Sequence, residues 1–249
     1  MAHSNKYCGI IVSARKTGEQ SKSIDILTRE SGLIHCVARN ASKSKKRFGG
    51  SLEPFTSAEF QIKPSSRYRP TLESVDNVVS RFNISQSVSA FYLASYACQW
   101  MKVMVRDAET VQRWYSLLES LLDSLCTCDC TPSQVFWFEL TLLKYGGVFL
   151  NPSICPLCDK KFADGSTIVF DERDGVFIHD FHDEALRYPA LDFGVYRIIK
   201  MLTTVSFENS VKLKPSLRQN DILRTLLKKM LTIHFEIIPS GRQSLFSLL

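Results

Sequence analysis

The chain has 249 residues, 45% of them hydrophobic and 22% charged, with a net charge of +6. This is ordinary globular usage, enough for one large domain or several small ones, and it excludes a disordered or collagen-like chain. No apolar run reaches the ~20 residues that a bilayer-spanning helix needs, and residues 1–9 show no apolar stretch after Lys6 of the kind that marks an export signal. Without such a signal, the eight cysteines point to reduced thiols or metal ligands, and the expected compartment is the cytoplasm. The charge is unevenly placed. Residues 1–80 carry 13 Lys/Arg against 7 Asp/Glu, residues 81–210 carry 11 against 16, and residues 211–249 carry 7 against 2. Two basic ends around an acidic middle suggest a polyanionic partner for the ends.

Residues 1–80 read as β. Short β-branched and apolar runs at 7–13, 23–28, 33–38, 55–62 and 68–79 are separated by turn signals at Thr17-Gly18, Ser31-Gly32, Gly49-Gly50 and Pro64. Five such strands predict a small closed barrel or a sandwich. Residues 40–51 carry no periodic pattern and read as a Gly, Ser and Lys loop. Beyond residue 82 the period becomes helical. Helices are expected over 87–105, then after an N-cap at Asp107. Another should start at Thr131-Pro132-Ser133-Gln134, which joins a capping box to proline at the first helical position, and stop at Gly146-Gly147. Two further helical segments are expected over 186–202 and 219–235. The fold class is therefore α+β and multidomain: a barrel domain over 1–80, then a helical bundle over 81–249 with a metal-binding hairpin inserted at about 151–183.

That hairpin holds the sharpest motif. Cys155-Pro-Leu-Cys158 is followed, after 20 residues, by His179-Asp-Phe-His182. Each x2 pair places two ligands on one side of a tight turn, and two such pairs complete the tetrahedron that structural Zn²⁺ prefers. The β-like runs at 167–170 and 176–178, around Asp174-Gly175, would fold the pairs together. Four protein ligands leave no open position, so Cys155, Cys158, His179 and His182 predict a structural rather than catalytic zinc. A second thiol cluster, Cys126, Cys128 and Cys130, fits an incidental loop better than a metal site.

The cationic residues fall into groups. Arg39, Lys43, Lys45, Lys46 and Arg47 lie within nine residues beside Phe48; Arg15, Lys16 and Lys22 flank the first turn; Lys63, Arg67 and Arg69 flank the last. Lys/Arg-rich loops bind phosphates without sequence preference, and in barrels that track single strands they act beside aromatic stacking platforms. Tyr7, Phe48 and Tyr68 are candidates for those platforms, although each also suits a core. The basic face expected near Arg224, Lys228 and Lys229 fits a solvated helix. No P-loop, G-x-S-x-G or H-E-x-x-H motif is present, and the expectation is a non-enzymatic protein.

Several runs, in order and at matching spacing, resemble the bacterial RecO family of recombination mediators. They are Leu27-Thr-Arg-Glu30, Gly32-Leu33-Ile34, Val37-Ala-Arg39, Ser44 to Phe48, Leu52-Glu-Pro-Phe55, and the C-x2-C about 100 residues later. The resemblance implies an N-terminal OB-fold, a helical bundle and a zinc module. It also implies a DNA repair function: binding single- and double-stranded DNA, annealing complementary strands, associating with RecR, contacting the C-terminal tail of single-stranded DNA-binding protein, and helping to load RecA. A cytoplasmic, nucleoid-associated location follows. Arg39, Lys45, Lys46 and Arg47 match the family's basic positions; Arg15, Lys16, Lys43, Arg67 and Arg69 join them as expected DNA contacts from their placement. Asn40 replaces the family's usual glycine, and the His179/His182 pair replaces a second C-x2-C. Two other readings are an OB-fold RNA-binding protein of translation or ribosome assembly, and a zinc-dependent hydrolase, which would need an open coordination position.

Overall fold

The structure, a computed structural model, describes residues 4–41, 43–48, 51–106, 108–148 and 152–249. Asp107, the expected N-cap, lies outside the described residues, as do the side chains of Lys45 and Lys46. The chain forms two compact units, Met1–Asp129 with Gln243–Leu248, and Cys130–Arg242 with Leu249.

The first unit begins with strands β1 (Asn5–Thr17), β2 (Ser21–Thr28) and β3 (Gly32–Ala38). After the short helix α1 (Lys45–Phe48) come β4 (Ser57–Lys63) and β5 (Thr71–Val79). They close into a barrel in the order β1-β2-β3-β5-β4, the five-stranded OB arrangement. All neighbours are antiparallel except β3 and β5, whose parallel contact at Val37 and Thr71 closes the barrel. Period-2 alternation sends Ile24 and Ile26 of β2, Phe60 and Ile62 of β4, and Leu72 of β5 into one core with Phe48 and Leu52. Phe48 is therefore core rather than a stacking platform, and Tyr7 packs partly against the same cluster. The patternless loop contains α1, because Phe48 anchors it from below. At Asn40 the backbone has φ +53°, so the residue that replaces glycine does adopt the left-handed turn, as Asn tolerates.

Strand β2 is buried on both faces from Ile24 to Thr28. Its outer face meets helices α2 (Val88–Met104) and α3 (Ala108–Leu125), which cover the barrel. That cover explains a buried carboxylate on the outer face. Asp25 is 4% exposed and receives Lys102 Nζ from α2, His35 Nδ1 at 2.8 Å and, more distantly, Arg15 at 3.7 Å. Burial alone would raise its pKa, but the hydrogen bonds from His35 and Lys102 together outweigh burial and hold it below the usual value. A carboxyl whose folded-state pKa is depressed stabilises the fold fully above the ordinary carboxylate range, and loses that contribution as pH falls through the depressed value. Asp25→Asn is thus expected to cost about 1.5–3 kcal/mol at pH 7, the worth of charged hydrogen bonds. It should also flatten the acid limb of a denaturation series run from pH 7 to pH 2. An acid limb identical to that of the wild type would show that Asp25 does not link barrel and helix in this way.

In the second unit, α4 (Pro132–Tyr145) starts as its sequence predicts: Gln134 Oε1 accepts from the Thr131 N–H at 2.9 Å and from Thr131 Oγ1 at 3.2 Å. Around α4 pack α5 (Phe193–Leu202), α6 (Phe207–Ser210) and α7 (Leu217–Phe235). Trp137 Nε1 donates to the Val205 carbonyl at 2.8 Å while its ring meets Phe207 edge-on. Glu139, fully buried, accepts two bonds from Arg242 at 2.7 and 3.0 Å, and Arg242 also donates to the Arg224 carbonyl at 2.9 Å. The helix expected over 186–202 is shorter. Pro189 ends a 3₁₀ turn over Asp183–Arg187, strand β8 (Ala190–Leu191) follows, and Asp192 caps α5 through the Gly194 N–H at 2.7 Å. The strand β8 pairs with β6 (Ile168–Asp171), which pairs with β7 (Val176–His179), giving a three-stranded sheet where the sequence predicts only a hairpin.

Candidate nucleic-acid interface and metal centre

Cross-strand register brings the dispersed cations together. Arg15 on β1 lies opposite Ser23 on β2, Ser23 opposite Val37 on β3, and Val37 opposite Thr71 on β5. Directly paired residues share a face. The row is extended by Arg69, whose guanidinium donates to Ser23 Oγ at 3.4 Å, and by the Val37 N–H, which donates to the Pro70 carbonyl at 2.9 Å. The next row pairs Lys16 with Lys22 and Lys22 with Ala38, so Arg39 follows at its end. Arg15, Lys16, Arg39, Lys43, Arg47, Arg67 and Arg69 are all exposed. Residues separated by up to 54 positions thus meet at one end of the barrel, contributed by the β1–β2, β3–β4 and β4–β5 connections. Lys22 is largely satisfied locally, through Glu53 at 2.9 Å and the Leu52 carbonyl at 3.3 Å. Tyr68, 69% exposed between Arg67 and Arg69, is the platform candidate with a free face.

The Arg39–Arg47 segment is folded back on itself. The Asn40 carbonyl accepts from the N–H groups of Lys43 and Ser44, both at 3.2 Å. Arg47 donates through Nε to Ser44 Oγ at 2.8 Å and through Nη2 to the Arg39 carbonyl at 3.0 Å, with its guanidinium 4.9 Å from the Phe48 ring centroid. The buried phenyl ring anchors the segment while Arg39, Lys43 and Arg47 are exposed.

In the second unit Cys155, Cys158, His179 and His182 converge, with their ligand atoms all within 4.8 Å of one another. The knuckle between the cysteines is built by backbone: the Cys155 N–H donates to the Lys160 carbonyl and the Asp159 N–H to the Cys155 carbonyl, each at 2.9 Å, with Asp159 at φ +56°. Strand β7 delivers His179, and His182 stands at the residue just before the 3₁₀ turn that follows. Cys155 Sγ lies 3.4 Å from His182 Nε2, and Cys158 Sγ lies 3.5 Å from His179 Nδ1. Ideal tetrahedral zinc with standard Zn–S and Zn–N bonds has sulfur–nitrogen edges of roughly 3.6 Å. The donor set and spacing fit a metal ion of that kind. Burial, together with the charge of neighbouring His182, pushes the His179 pKa down and favours the neutral imidazole that ligation requires. Beneath the cluster, Phe162 packs on His179 and on Tyr196 of α5, with centroids 4.5 and 5.4 Å apart, and Tyr196 Oη donates to the Pro152 carbonyl at 2.8 Å. At the hairpin turn Gly175 has φ +69° and lies against the His234 ring of α7, where a β-carbon would not fit.

Cys126, Cys128 and Cys130 make no comparable cluster among the described residues. Their thiols meet nearby backbone carbonyls, Leu122, Ser124 and Thr131 respectively, at 3.2–3.5 Å. On α7, Lys229 is paired with Glu172, and Arg224 and Lys228 are exposed. No helix among the described residues is long and apolar enough to cross a membrane.

The family model for the recombination protein O N terminal region matches residues 1–80, and that for the recombination protein O C terminal region matches residues 85–242. The chain belongs to the RecO family. It is 31% identical over 166 residues to the DNA repair protein RecO of Myxococcus xanthus (strain DK1622), covering 67% of each chain. It is also 31% identical over 172 residues to the RecO of Anaeromyxobacter sp. (strain Fw109-5), covering 68% of this chain and 67% of that one. To the RecO of Geobacter sulfurreducens it is 30% identical over 155 residues, 61% of this chain and 63% of the other. This RecO-family DNA repair protein therefore carries its cationic loops on the N-terminal match and its Cys/His cluster on the C-terminal one. Sequence reasoning reached both groups, but it missed Asp25 and the cavity beside Arg47, because both depend on helices laid over the barrel.

Proposed function

We propose that this chain is a non-enzymatic recombination mediator that binds single- and double-stranded DNA and anneals complementary strands. Residues 1–80 are the nucleic-acid-binding domain. Residues 81–249 are the helical domain, with a structural Zn²⁺ held by Cys155, Cys158, His179 and His182 in the module at about 151–183. The reading is carried by the two cross-strand rows that gather Arg15, Lys16, Arg39 and Arg69, with Lys43, Lys45, Lys46, Arg47 and Arg67 on the adjoining connections. The mechanism is electrostatic and stoichiometric. Cations displace counterions from two strands and reduce their repulsion, and base pairing supplies the driving force. RecR, the acidic and apolar tail of single-stranded DNA-binding protein, and indirectly RecA are the partners in gap and break repair, at the nucleoid.

The test is charge reversal at Lys45 and Lys46, which leaves the Arg47–Arg39 tie intact. Single-strand affinity near 0.1 M salt should fall about 10- to 100-fold. The slope of log affinity against log salt should lose about 1.4, two phosphate contacts at ~0.7 each. Annealing of strands coated with single-stranded DNA-binding protein should slow in parallel, and adding Arg47→Glu should deepen every effect. Unchanged annealing and an unchanged slope would remove this segment from the mechanism.

A further inference from the structure

A cavity of about 550 Å³ opens in the first unit next to the cationic segment. Arg47 stands at its rim, Phe55 and Val78 form walls, and Phe82 and Phe91 present rings that are 72% and 41% exposed. Phe55 and Phe91 meet edge-to-face with centroids 5.6 Å apart, which holds both rings on the lining, while Phe82 stands in water at the start of the 3₁₀ turn over Phe82–Gln86. Arg81, 6% exposed, is committed to Asp123 at 2.7 Å, Ser57 at 2.6 Å and the Phe55 carbonyl at 2.9 Å, so it braces the wall. Solvent-exposed phenyl rings at an apolar opening need an explanation, because water gains nothing there.

We propose that this cavity takes an unstacked nucleobase of the bound single strand, with the adjoining phosphate at Arg47. The inference rests on the DNA-binding reading above and deepens it. Three observations select a base as occupant. The cavity is continuous with the cationic segment, since Arg47 and Phe48 belong to both. Its chemistry is divided as a nucleotide's is, with aromatic faces inside and a cation at the edge, the combination that single-strand binders use. Glu53, also on the lining, has its charge met by Lys22 at 2.9 Å, so it opposes neither a neutral ring nor the phosphate beside it.

The experiment compares a thymidine oligonucleotide with an abasic strand of the same length and charge, by fluorescence anisotropy across a salt series, on the full chain. The wild-type protein should prefer the base-bearing strand by about tenfold or more, within the range of one stacked base. Phe82→Ala, at an exposed position that the fold does not need, should lose most of that preference with an unchanged salt slope, and Phe82→Tyr should restore it. Reversal at Lys45 and Lys46 should instead weaken both strands alike and lower the slope. A wild-type protein that binds both strands equally well overturns the proposal and leaves the cavity to an apolar side chain of a protein partner. So does a Phe82→Ala protein that keeps the full preference. Failure of the DNA-binding reading itself looks different, because the wild-type protein then binds neither strand.

Discussion

Cys155→Ser is expected to abolish stoichiometric metal binding and to lower the stability of the Cys130–Arg242 unit by about 5 kcal/mol or more, because binding energy at a structural zinc site is folding energy. The geometry explains the size of the effect. Cys155 is fully buried, its thiol 3.4 Å from His182, and the knuckle it starts has too short a sequence to hold its shape by apolar packing. Without the ion, two imidazoles and two thiols would share one small space with no cation to compensate their donor atoms. The cost should spread inward through Phe162, which stacks on His179 and on Tyr196. Metal analysis of protein purified under reducing conditions should give one zinc per chain. A chelator should lower the Tm of the wild-type protein and leave that of Cys155→Ser unchanged. Metal-free wild-type protein with a chelator-insensitive Tm would refute a structural ion.

Arg242→Met should destabilise the same unit by about 3–5 kcal/mol, the cost of breaking a buried ion pair by removing one partner. Glu139 is fully buried on α4 and receives a two-point hydrogen bond from Arg242, which is 6% exposed. Removing the cation takes two hydrogen bonds from the carboxylate and one from the Arg224 carbonyl on α7. The informative variant is the double one. Glu139→Leu with Arg242→Met removes both charges and should recover most of the loss, since desolvating an ion pair costs nearly as much as the pair returns. Chemical denaturation of the four proteins of this cycle measures the coupling. A double variant no more stable than Arg242→Met would mean that the segment around residue 242 is held by its shape rather than by this charge pair.

The candidate sites were legible in unequal degree. The metal cluster was nearly complete in the sequence, because its ligands come in two local pairs and short-range turns fix each pair. The capping box at Thr131-Gln134 was equally local and was found where predicted. The sequence also supplied the cations, but as three separate clusters. Their assembly needed the register that sets Arg15 opposite Ser23 and brings Arg69 to it. Phe48 shows the limit of a pattern-based reading. A phenylalanine beside four cations looks like a stacking platform, and only closure of the barrel shows it inside the core. The stretch over 186–202 misled in the opposite direction. Its apolar residues have helical spacing, but Pro189 denies a hydrogen bond and β6 offers Ala190–Leu191 an edge to pair with.

By itself the sequence determined the order of strands before helices, the two Cys/His pairs that converge in the candidate metal centre and the cationic runs of the N-terminal region. These depend on residue type and on spacing within a few turns of chain. The tertiary structure alone decided that Asp25 is a buried counter-ion rather than a surface carboxylate, that Arg242 completes a charge pair with Glu139, and that Phe82 and Arg47 border one cavity. Each of these joins residues from about 35 to 103 positions apart, or depends on a helix covering a strand face. Periodicity reports which face of an element is apolar, but not which element will lie against it.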